Sequence, residues 1–166
     1  CKKKIDGDEA IAAVQERVDK AFYQITHGSS EGMRTLGFGE DIVQQTAKFV
    51  DKQVLTRYVL KRIEGTFVSA EFFDDESVEA TLKVRALDIV SVAGQVEKAY
   101  KDAKGEVPFN VLIVKLLNDE NAPMSETEVT VTFRYVLDEK PEDEKKGKEK
   151  EEQTGDWYAD YSRDLD

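Results

Sequence analysis

Apolar side chains recur at Ile11, Val14, Val18, Phe22 and Ile25 in steps of three and four, which predicts an amphipathic helix starting near Asp8. Asp6 or Asp8 can cap its start and Gly28 can end it. Residues 28–39 hold Gly28, Gly32, Gly37 and Gly39 with two serines, and read as a loop. A broader, less clean stripe through Ile42, Thr46, Phe49, Gln53 or Val54, and then Tyr58, Val59 and Ile63 predicts a second helix from about Glu40 to Ile63, long enough to kink. After Gly65 the period becomes two. Phe67 to Phe73 is rich in aromatic and β-branched residues. Beyond Asp74-Asp75-Glu76-Ser77, the positions Val78, Ala80, Leu82, Val84 and Ala86 alternate with Glu79, Thr81, Lys83 and Arg85. The two segments predict a hairpin with one wet face.

Asp88 is placed to cap a third helix carrying Ile89, Val92, Val96, Ala99 and Tyr100, with Gly105 beyond it. Pro108 suits a first helical turn, and Phe109, Leu112, Ile113, Leu116 and Leu117 point to a short fourth helix. The run Val111 to Val114 also fits a strand. From Glu128 to Asp138, Val129, Val131, Phe133, Tyr135 and Leu137 alternate with Thr130, Thr132, Arg134 and Val136, the strongest strand signal in the chain. Residues 138–154 are almost wholly charged and predict a mobile loop, after which Gly155 to Tyr161 returns as a last strand. The expected architecture is α+β, with helices packed on one face of a four-stranded, mostly antiparallel sheet. Residues 1–7 are expected to form a flexible anchor segment ahead of a single domain, 8–166.

Composition narrows the classes. Of 166 residues, 36% are charged and 40% apolar, too apolar for wholesale disorder and too polar for an integral membrane protein. No run of ~18 uncharged apolar residues is present to span a bilayer. One cysteine and one histidine exclude an internal disulfide framework and a Cys/His zinc site, and no metal or cofactor is expected. With 24 basic and 35 acidic residues the net charge is −11, which repels phosphate polymers and argues against nucleic-acid binding.

That charge is uneven. Lys2, Lys3 and Lys4 follow Cys1 directly, and taking away their +3 leaves −14 on residues 5–166. A free cysteine is usually a small buried hydrophobe, but here it opens a polar tail. The conjunction resembles the start of a mature bacterial lipoprotein, a likeness that implies lipid attachment at Cys1, with Lys2, Lys3 and Lys4 meeting anionic headgroups at about 1 kcal/mol each. The acidic body would then project away from the membrane. A leftover terminal residue is the plain alternative. An N-terminal nucleophile is another, but such a thiol must open a buried strand and Lys-Lys-Lys-Ile-Asp-Gly-Asp offers none.

The terminal Cys, two helices, the strand Val78 to Ala86 running into a helix capped at Asp88, the strand Glu128 to Tyr135 and the closing Gly155-Asp156-Trp157-Tyr158 together resemble a known group. That group is the uncharacterised lipoproteins of Gram-positive bacteria, themselves similar to NTF2-like or cystatin-like proteins. The resemblance implies a cell-surface location facing the extracellular side and helices against a curved sheet. It implies no settled activity. The helical insertion between the hairpins and the charged connection depart from the usual NTF2-like order.

Candidate chemistry is sparse. His27, the single histidine, adjoins Gly28 at a helix end, where it is expected to cap. Gly37-Phe38-Gly39 lacks the Gly-Lys-Ser/Thr ending of a phosphate cradle and reads as a turn. Asp74, Asp75 and Glu76, like Asn118, Asp119, Glu120 and Asn121, miss the spacing of a calcium loop and are expected to serve turns. Trp157, Tyr158 and Tyr161 are either core of the last strand or a recognition patch for a protein, peptide or glycan. The function expected is a lipid-anchored extracellular binding module without catalytic residues. The alternative is an NTF2-like enzyme using a buried carboxylate in a cone-shaped pocket.

Overall fold

The first helix begins where the chemistry places it. In the computed structural model, which describes residues 4–37, 51–139 and 154–160, the Asp6 carboxylate accepts the Asp8 amide at 3.1 Å and opens α1 (Gly7–Thr26). Val14, Val18, Phe22 and Ile25 form its buried stripe, joined by Ala10 and Ala21. His27 is its C-cap, as expected.

The loop expected over 28–39 contains a helix instead, α2 (Ser30–Leu36). The Ser29 hydroxyl accepts the Glu31 amide at 3.4 Å, Gly37 closes the helix in the left-handed region at φ 78°, and Met33, Thr35 and Leu36 are buried. Glycine content misleads here because Gly32 serves packing. A Cβ on Gly32 would lie 2.2 Å from the Ala21 carbonyl oxygen, so only glycine lets α2 approach α1 this closely.

Of the long second helix expected over 40–63, residues 38–50 lie outside the described residues. The remainder is helical but irregular. A single α-turn, α3 (Lys52–Val54), passes into a π-turn at Leu55–Val59 and a 3-10 turn at Leu60–Arg62. Val59, Leu60 and Ile63 are buried in succession around these changes of pitch.

Four strands follow, β1 (Glu64–Phe72), β2 (Val78–Leu87), β3 (Met124–Leu137) and β4 (Gly155–Ala159), in the spatial order β1-β2-β3-β4. Every pair is antiparallel. The fold is therefore α+β with a four-stranded, all-antiparallel sheet. Pleating sends Val78, Ala80 and Leu82 to the helix side, all fully buried, while Lys83 and Arg85 stand on the other face in solvent. On β1 the register shifts between Phe67 and Ser69, so exposed Val68 is absorbed in a bulge and Ala70 and Phe72 regain the inner face. α1 presses onto this face so closely that a Cβ on Gly65 would fall 2.1 Å from the Phe22 ring.

β3 starts four residues earlier than the alternation indicates. Ser125, Glu126 and Thr127 pair with Ala86, Arg85 and Val84 but are exposed, so the β2 ladder holds them and no apolar pattern marks them. Between the hairpins lie α4 (Ile89–Asp102), capped by Asp88 accepting the Ser91 amide at 3.1 Å, and α5 (Phe109–Leu117). The segment 109–117 is helical and not a strand: the Pro108 carbonyl accepts the Leu112 amide, and Ile113 and Leu117 are buried four residues apart. The buried side chains of helices and sheet form one cluster around Phe133, Leu82, Val18 and Leu117. No helix among the described residues is long and apolar enough to cross a membrane.

Candidate functional site

Cys1, Lys2 and Lys3 lie outside the described residues. Lys4 is exposed, Ile5 packs against the core, and α1 begins at Gly7, so the basic segment joins the folded body at its first helix.

The aromatic pair on β4 is divided by the pleat. Trp157 turns inward, 5% exposed, and meets the Tyr135 ring edge-on with centroids 5.5 Å apart. Tyr158 faces the other way and is half-buried under the Arg17 guanidinium, 4.9 Å from its ring centroid. Tyr161 lies outside the described residues. Arg17 also donates from Nε to the Trp157 carbonyl at 3.2 Å and pairs with Asp156 at 3.3 Å. The Trp157 amide donates to Asp156 Oδ1 at 2.8 Å. Hydrogen bonds from Asp138 to Thr154 and from Asp160 to Thr132 bracket the strand pair, so Trp157 sits at a non-bonded position and turns its own backbone groups outward. Arg17 and Asp156 thus close the open edge of the sheet at that residue, which removes a template for a further strand.

On the polar face, Arg134 reaches two carboxylates: Nε donates to Asp160 at 2.7 Å and Nη2 to Asp75 at 2.9 Å. These bonds, Asp160's first and Asp75's second, raise the Arg134 pKa further. Asp75 also accepts the Ser77 amide and hydroxyl, and Glu76 adopts φ 63°, so the Asp74-Asp75-Glu76 string is turn chemistry, as expected. Asp119 likewise accepts the Asn121 amide at 2.9 Å. The His27 Nδ1 donates to the Tyr23 carbonyl at 2.8 Å, and the two rings stack with centroids 3.9 Å apart. Gly37 serves the α2 cap, while Phe38 and Gly39 lie outside the described residues. Among the described residues no group of three or more His, Cys, Asp or Glu can hold a metal ion, and the buried polar side chains are Thr35 and Ser77.

Folding also assembles a cleft that no local run of residues marks. Lys61 and Arg62 from the 3-10 turn, Glu64 from β1, Arg85 from β2, Met124 from β3 and Glu120, Asn121 and Ala122 from the loop before it line an open cleft of about 540 Å3. Arg62 Nη1 donates to the Leu117 carbonyl at 2.9 Å and the Asp119 carbonyl at 2.8 Å, tying the 3-10 turn to the end of α5. Arg85 pairs with Glu64 at 3.5 Å. The residues span 61–124 and share no motif; antiparallel register brings them together.

Comparison with protein-family profiles, with curated proteins and with solved structures gave no match. What the fold establishes is the class, an α+β protein with a four-stranded antiparallel sheet.

Proposed function

We propose that this chain is a lipid-anchored bacterial lipoprotein of the NTF2-like or cystatin-like kind, facing the extracellular side and binding a partner without catalysing a reaction. The observation that carries the reading is the coincidence of the only cysteine with the only unmixed lysine cluster, Cys1-Lys2-Lys3-Lys4, directly ahead of α1. A thioether-linked diacylglyceryl group on Cys1 supplies two acyl chains, and stable anchoring needs two membrane signals. The lysines add attraction to anionic headgroups, and the −14 of residues 5–166 pushes the body outward. The partner is a protein, peptide or glycan, met through the surface around Trp157, Tyr158 and Tyr161. Inward-facing Trp157 would then support the patch from beneath, with Tyr158 at its surface.

The test is fractionation of the native bacterium expressing wild-type and Cys1→Ser protein. Wild type is expected in the membrane fraction and C1S outside it. Equal membrane retention of C1S would overturn the anchoring claim.

A further inference from the structure

We propose that the cleft between the 3-10 turn, β2 and the 118–124 loop binds a small, multiply charged oxyanion. Three cations, Lys61, Arg62 and Arg85, converge there against two carboxylates, Glu64 and Glu120, within a chain whose net charge is −11. A local excess of positive charge in such a chain concentrates anions at that place. Arg62 is half-buried, and both of its hydrogen-bond partners are neutral carbonyls met by the same nitrogen, Nη1. Those two bonds fix the guanidinium, and among the described residues Arg62 makes no ion pair and its Nε and Nη2 make no hydrogen bond. A fixed guanidinium with free donors matches the fork geometry by which arginine takes an oxyanion.

The remaining residues fit the same ligand. Lys61 makes no ion pair or hydrogen bond among the described residues, and neither does the Asn121 carboxamide, while the Asn121 backbone is fixed by Asp119. Arg85 holds Glu64 at 3.5 Å with both side chains more than half exposed, a loose pair that a stronger anion can displace. Only Ala122 and Met124 are apolar in the lining, so an apolar ligand finds little to cover. The volume suits a phosphorylated or polycarboxylate small molecule. This site does not depend on the lipid anchor, and either claim can fail without the other.

The experiment titrates the full chain at constant ionic strength with inorganic phosphate and, separately, with citrate, following amide resonances by NMR. Saturable shifts are expected at Arg62, Arg85 and Asn121. Tighter phosphate binding identifies a phosphoryl ligand, and tighter citrate binding identifies a carboxylate ligand. Arg85→Gln is expected to weaken binding about tenfold and Lys61→Gln severalfold, since each removes a charge-assisted hydrogen bond. Arg134→Gln, on an arginine held by Asp75 and Asp160, is expected to leave binding unchanged. Shifts that do not saturate, or K61Q and R85Q chains that are folded and bind as wild type does, would overturn the proposal.

Discussion

Two groups of cations stand out from the acidic remainder of the chain, and they are assembled in opposite ways. Lys2, Lys3 and Lys4 are consecutive and adjoin Cys1, so their charge exists whether or not the domain folds. Lys61, Arg62 and Arg85 meet only because Arg62 clamps the end of α5 and β2 returns beside β1. The first group can act on an extended surface such as a membrane. The second can recognise a small molecule, because folding fixes the spacing of its donors. The difference between them is dependence on tertiary structure, and destabilising the core separates the two.

The largest effect is expected from Phe133→Ala. Phe133 is 0% exposed and faces Val78 across the β2–β3 pair, so truncation should cost about 4 kcal/mol, read as a lower midpoint in urea. Where this variant unfolds, the cleft disappears, while the attachment proposed for Cys1 is expected to persist. Replacing Lys2, Lys3 and Lys4 together by Gln does the reverse. The lipidated protein should lose about 3 kcal/mol of binding to anionic vesicles, with its unfolding midpoint unchanged. Loss of stability in this triple variant would break the distinction.

Arg17→Ala sharpens it from a third direction, since Arg17 is a cation committed to the β4 edge and belongs to neither group. Its side chain is 14% exposed and its Nε holds the Trp157 carbonyl, so its removal should cost about 2 kcal/mol and increase self-association measured by sedimentation. Neither vesicle binding nor anion binding should change.

The smallest effect is at Asp88. Hydrogen bonds from the Ser91 amide, and then from its hydroxyl, hold its carboxyl below the usual carboxylate range. A depressed folded pKa means that its contribution is fully present above the unfolded value and is lost as pH falls through the folded one. An NMR titration should therefore show Asp88 protonating below the ordinary aspartate range, and Asp88→Ala should remove that acid-dependent increment of α4 stability.

These contrasts also explain what could be read from the sequence. The α1 stripe, the two faces of β2, the Asp88 cap and the alternation of β3 beyond Glu128 were legible because each is a local period or a local cap. α2 was hidden because Gly32 signals a loop in sequence but serves helix contact in space. The first residues of β3 carried no apolar signal, since their partners on β2 hold them. Cys1-Lys2-Lys3-Lys4 was legible as a contiguous string. The cleft was not, because Lys61, Arg85 and Asn121 become neighbours only through strand register and the Arg62 clamp.

Mass spectrometry of the Cys1 proteolytic peptide from native membranes tests the proposed lipid attachment most directly. The peptide is expected to be heavier than its sequence by a diacylglyceryl group carried on sulfur. A free, unmodified thiol on that peptide would contradict the attachment.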